Sequence, residues 1–195
     1  MKTERGGGGA MKVEITYKGE KLFTDANSFC KSHYWKKEYL EKDKEFAGLP
    51  DIYFVVIKDN KIIATMAAAI KKESDKENLA FETIYSCHVD KSAAEIGRFS
   101  FTKEVLNKPK FGARITTILI NSMVEFFNAP EYKDYNFFIE TRDCLLRIVQ
   151  FILGKNSLLK INAKADLEKV PEQSRCFYIK EDPKLYLINN TVVFN

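Results

Sequence analysis

The sequence holds no run of about 18 apolar residues and no apolar stretch behind a basic start, so neither a membrane-spanning helix nor a secretory leader is expected. Its four cysteines, Cys30, Cys87, Cys144 and Cys176, lie far apart without a CxxC pair. That spacing excludes a zinc ribbon or a disulfide framework and fits a reducing, cytoplasmic setting. Charge of one sign is also lacking. Lys and Arg total 31 against 27 Asp and Glu, a net charge of +4, and the two signs are interspersed. A nucleic-acid binder would gather its basic residues on one element, so no nucleic-acid partner is expected. Glycine is scarce outside "MKTERGGGGA". Residues 1–10 therefore read as a flexible leader or an expression remnant, and residues 11–195 as a single domain.

What is present is enough apolar material, 45% of the chain with 13% aromatic, for one sizeable core. "MKVEITYKGEKLF" alternates as a strand and turn, and Thr24 or Asp25 then caps a helix carrying Ala26, Phe29, Cys30, His33 and Tyr34 on one face, which stops before Gly48-Leu49-Pro50. "DIYFVVIKDNKIIATMAAAI" reads as a hairpin turning at Asp59-Asn60. Lys71 to Asn78 reads as a solvated loop, Phe81 to Val89 as a strand, and "EIGRFSF" as another. A loop with Pro109 and Gly112 leads into a helix over 114–127 with Ile115, Ile118, Leu119, Met123 and Phe126 as its stripe. "YNFFIE" is a short buried strand, and Thr141 caps a helix with the stripe Leu145, Ile148, Val149 and Ile152, closed by Gly154. "RCFYIKEDPKLYLINN" reads as two strands about an Asp182-Pro183 turn. The expected class is mixed α/β (α+β) around one mostly antiparallel sheet flanked by helices.

Within that order, Glu95 and Arg98 stand three residues apart in an apolar run, where unpartnered charge is costly to bury. Glu95, Arg98 and Phe99 form an "ExxRF" segment that resembles the GNAT-type N-acyltransferases, and among them the acyl-homoserine-lactone synthases and N-acyl amino acid synthases. Trp35, Glu41, Asp43 and Phe46 follow the family's order of a Trp, acids and a Phe. Gly97 stands where that family usually has Ser, and "TMAAAI" lacks the usual Arg. The resemblance implies a GNAT-like fold, an autoinducer-synthase-like activity, and an acyl thioester of CoA or acyl-carrier-protein phosphopantetheine as co-substrate. It implies a small amine, amino-acid-like, as acceptor. No metal is implied.

The same resemblance assigns roles. Glu95 and Arg98 are the candidate catalytic pair, Glu95 as base and Arg98 as balancing charge or anchor for an acceptor carboxylate. Backbone N–H groups of Phe99, Ser100 and Phe101 would hold the thioester if the central strand splays from its neighbour. Trp35 and Phe46 are candidates for the substrate pocket. The pyrophosphate loop of acetyl-CoA-dependent members, Q/R-x-x-G-x-G/A, is matched in "KPKFGARITT" only by Gly112. Lys108, Lys110 and Arg114 either meet an acidic carrier protein or are ordinary solvated side chains. Glu95 and Arg98 could instead pair only with each other or with Glu82 and Glu140, which would make this a catalytically silent binding domain. An acetyl-CoA-dependent acetyltransferase is the remaining alternative. The helix over 142–153 has no Tyr to protonate a leaving thiolate, Tyr135 being near in sequence only. Cys30 with His33 and Cys87 with His88 suggest a zinc site on paper, but adjacent strand residues point oppositely. Cys144 reads as a buried thiol.

Overall fold

The computed structural model describes residues 11–33, 50–170 and 172–189. Trp35, Phe46, Glu41 and Asp43, together with Tyr34, the Gly48-Leu49 stop and the Cys144 side chain, lie outside what is described. Seven strands form one sheet: β1 (Met11–Tyr17), β2 (Ile52–Lys58), β3 (Lys61–Lys71), β4 (Ala93–Phe101), β5 (Asn136–Thr141), β6 (Leu158–Lys160) and β7 (Lys184–Ile188). Their order is β1-β2-β3-β4-β5-β7-β6. Only β4 and β5 run parallel, the remaining neighbours being antiparallel. The helices are α1 (Lys21–His33), α2 (Ala80–Ile84), α3 (Lys103–Leu106), α4 (Pro109–Phe127), α5 (Asp143–Leu153) and α6 (Glu172–Glu181).

Each face of the sheet buries what the strand alternation supplies. Phe54, Val56, Met66, Ala94, Ile96 and Phe137 meet Ile115, Leu119 and Met123 of α4, together with Val149 of α5. On the opposite face, Tyr53, Val55 and Ala67 take Phe23, Ala26 and Cys30 of α1. Farther along that face, Ala93 and Phe138 are covered by Phe81 of α2 and Phe177 and Tyr178 of α6. The Phe81 ring stacks on Phe138 at 4.4 Å.

The hairpin at Asp59-Asn60 forms as expected, with φ of 51° and 60°, the left-handed pair that a tight two-residue turn requires. Other expectations are corrected. Helix α1 starts at Lys21 rather than after Thr24, because Leu22 and Phe23 belong to its inward stripe. Phe81–Val89 holds helix α2 and a turn instead of a strand. The first part of the expected tail strand is helix α6, whose adjacent Phe177 and Tyr178 both pack on the same sheet face around Phe138. Helix α4 begins at Pro109, so Gly112 is helical and not in a loop. Thr141 closes β5, and Arg142 is the residue before α5.

Lys71 is likewise no solvated loop residue. Its ammonium lies 2.8 and 2.9 Å from the two carboxylate oxygens of Glu82, with both side chains buried. Glu82 also accepts the N–H groups of Leu79 at 2.8 Å and Val89 at 2.9 Å. Burial alone would raise the Glu82 carboxyl, but Lys71 and the two N–H groups outweigh it and hold it below the usual carboxylate range. The pair ties the end of β3 to α2. Lys71→Met is expected to cost about 3–5 kcal/mol in urea denaturation, because it strands a buried carboxylate, and Lys71→Met with Glu82→Leu to recover part of that loss.

Candidate active site

The β4–β5 ladder contains four residue pairs, Ala93 to Ile96 against Asn136 to Ile139, and ends there. Beyond it β4 stays with β3, pairing Gly97 with Ala67, Ser100 with Thr65 and Phe101 with Ala64, while β5 continues along β7 to Thr141. Two residues, Arg98 and Phe99, therefore oppose Met66 alone. This is a β-bulge, and Arg98 adopts φ of 53°, a left-handed conformation that costs a non-glycine residue roughly 1–2 kcal/mol. The bulge bends β4 away from β5 and opens the sheet between them.

A cavity of about 700 Å³ occupies the opening, lined among others by Glu95, Gly97, Arg98, Phe99, Glu140 and Tyr178. That is a volume suited to a small molecule. A Cβ at Gly97 would meet no atom within 4 Å, so the glycine leaves space rather than relieving a clash.

Glu95 is half-buried and aligned with Phe138 on β5. Burial raises its carboxyl to about 7, the negative charge of Glu140 adds to the rise, and the N–H groups of Phe81 and Ala80 and the Arg98 guanidinium pull the other way. The Phe81 contact is long, 3.4 Å to Glu95 Oε2. Near neutrality this group changes protonation state. Arg98 lies near Tyr53 on β2, whose buried hydroxyl donates a hydrogen bond to Asn27 Oδ1 of α1 at 3.0 Å. Burial pushes the Tyr53 hydroxyl well up, so it stays protonated. Of the two acids weighed as alternative partners, Glu82 is engaged by Lys71, whereas Glu140 lines the cavity with Glu95.

The other sequence-predicted residues divide. Phe99 and Phe101 turn their rings into the α4 face of the core, 6.5 Å apart, and Ser100 is buried on the α1 face with Oγ donating to Cys30 Sγ at 3.3 Å. Only their backbone lies along the stretch of β4 that has left β5. Gly112 donates its N–H to the Lys108 carbonyl at 2.8 Å within α4, and its missing side chain matters elsewhere: a Cβ would stand 3.1 Å from the Val105 carbonyl oxygen. Lys108, Lys110 and Arg114 are exposed around the start of α4, outside the cavity, with Lys108 paired to Glu104 at 3.0 Å. Among the described residues, no cluster of three or more His, Cys, Asp or Glu side chains is arranged to hold a metal.

Sequence reasoning missed Tyr178. It arrives from α6, is buried, and donates its hydroxyl to Glu140 Oε2 at 2.7 Å. The only signal for it was an aromatic in a tail read as a strand. Tyr135, near in sequence, packs instead against Tyr132 and Phe137 toward α4.

No protein-family model and no curated protein matches this sequence. Solved structures do match in fold. FeeM, an N-acyl amino acid synthase from uncultured soil microbes, is 13% identical over 91% of each chain with a TM-score of 0.61. The AHL synthase LasI is 10% identical over 96% of each chain, with a TM-score of 0.54. An agmatine N-acetyltransferase mutant is 14% identical, covers 91% of this chain and 98% of its own, and has a TM-score of 0.54. The chain thus has the GNAT acyltransferase fold, a mixed sheet flanked by helices, as the order of elements implied.

The raised Glu95 carboxyl carries a consequence for stability. Its folded value lies above the ordinary 4.5, so the stability it contributes is full below that value and is lost as pH rises through about 7. Glu95→Gln removes the titration. By thermal melts the variant is expected to match the parent at about pH 4 and to exceed it near pH 8, by at most about 3 kcal/mol.

Proposed function

We propose that this protein is an N-acyltransferase that moves an acyl group from a thioester donor to the amine of a small, amino-acid-like metabolite. The observation that carries this reading is the opening of β4 from β5 at Ile96, with Glu95 beside it in a cavity of about 700 Å³. The opening leaves the edge of β4 over Phe99 to Phe101 without a β5 partner, and the backbone N–H groups on that edge are available to a thioester carbonyl and its pantetheine amides. Glu95, with a carboxyl raised to about 7, is poised to accept a proton near neutral pH. Arg98 stands at the bulge, where it balances Glu95 or receives an acceptor carboxylate.

The reaction asks little else of the protein. The amine nitrogen attacks the thioester carbon, the C–N bond forms as the C–S bond breaks, and the thiolate leaves with its electron pair. No covalent enzyme intermediate is needed. FeeM is named as an N-acyl amino acid synthase and LasI as an AHL synthase, which favours an amino-acid-like acceptor here. Gly112 commits its N–H to the helix, which weighs against the glycine cradle of acetyl-CoA-dependent enzymes and toward a carrier-protein donor, for which exposed Lys110 and Arg114 form a basic landing surface at α4. A silent binding domain is less favoured, because a purely structural Glu95 would be sealed by partners and this one opens on the cavity.

Thioester consumption should be measured with acyl-carrier-protein and CoA donors of several chain lengths against a panel of amino acids and simple amines. Turnover is expected with at least one pair, kcat/KM rising with pH through about 7, and Glu95→Gln lowering it about 10²–10⁴-fold. A protein inert with every donor, or one equally active after the substitution, would remove respectively the enzyme reading or the role of Glu95.

A further inference from the structure

The site holds a second acid that the catalytic reading leaves unused. Glu140 lies two residues beyond Phe138, the β5 partner of Glu95, so the strand alternation puts both carboxylates on one face of the sheet. They line the same cavity from the two strands that diverge. Helix α6 crosses this face and fixes Glu140 through the Tyr178 hydroxyl, 2.7 Å from Oε2. Burial first, and then the neighbouring Glu140, push the Tyr178 hydroxyl far up, so it remains a neutral donor at any working pH. Two acids held together in a half-closed space repel one another, and a cation between them relieves the repulsion.

Other charged and titratable groups stand near the pair. Arg98 on β4 offsets part of the Glu95 charge. Arg142, before α5, is ion-paired with Glu181 of α6 at 3.0 Å. Lys71 is bound to Glu82. Tyr85 donates to the Pro183 carbonyl at 3.0 Å and, like Cys87, is held protonated first by burial.

We propose that Glu140, fixed by Tyr178, receives the acceptor as an ammonium ion beside Glu95, so that the slot admits primary amines in their charged form and deprotonates them in place. The inference rests on the acyltransferase reading. One proton of the ammonium passes to the Glu95 carboxylate and frees the nitrogen lone pair for attack. After the C–N bond forms and the C–S bond breaks, the nitrogen gives its next proton to the departing sulfur, and Glu95 returns the first to solvent. The net products are amide, thiol and one proton. Glu140 holds the nitrogen on line.

The test needs no turnover. Protein labelled with 13C at the glutamate carboxyls is titrated by NMR with and without n-butylammonium chloride, the Glu95 signal being assigned by its loss in Glu95→Gln. The Glu95 midpoint is expected near 7, to fall when butylammonium is added, and to fall by about one pH unit in Glu140→Gln without the amine. Butylammonium should then shift it no further. Tyr178→Phe, which keeps both carboxylates and the ring, should weaken the butylammonium response several-fold. A Glu95 midpoint unmoved by Glu140→Gln, or equal butylammonium responses in the parent and both variants, overturns the proposal. Because no thioester is present, a protein without transferase activity can still pass this test, and an active one can fail it.

Discussion

The central constraint is that β4 cannot follow both of its neighbours. Through Ile96 it pairs with β3 on one edge and β5 on the other. At the next step an extra residue enters, Arg98 takes a left-handed backbone, and the strand leaves with β3. A sheet interior normally satisfies every backbone donor and acceptor, so breaking one edge of a central strand is costly unless the break has a use. Here the break makes a cleft in the middle of the protein, flanked by α1 and by α2 with α6 on one face and floored by the α4 core on the other.

Two acids illustrate how surroundings separate structure from chemistry. Glu82 is closed off by an ammonium and two N–H groups, and its carboxyl is held low. Glu95, one strand away, has a long N–H contact, a neighbouring acid and an opening to the cavity, and its carboxyl is driven up to about 7. Equal composition thus yields a lock in one place and a titratable group in another. The decisive quantity is how completely each charge is compensated after it leaves water.

Much of the architecture was legible from alternation and turn chemistry. The Asp59-Asn60 hairpin, the long helix ending at Phe127, the strand at Tyr135–Glu140 and the Gly154 stop all follow from local rules, and "ExxRF" located the central strand. The misread segments share a cause. Phe81–Val89 and Arg175–Ile179 are short apolar runs whose period is too brief to separate helix from strand, and packing on Phe138 settled both as helix. Lys71 looked like the first residue of a charged loop because its partner, Glu82, is eleven positions away.

The sequence by itself determined the hairpin, the central strand, the long helices and the presence of an acid and an arginine on that strand, since these depend on turn chemistry and on periods of two and 3.6 residues. Only the tertiary structure decided that Glu140 and Tyr178 join Glu95, that Lys71 is closed off by Glu82, and that Gly112 serves close packing. Those relations join residues on different elements, and the distances that fix a carboxyl's proton affinity exist only once the strands and helices have met.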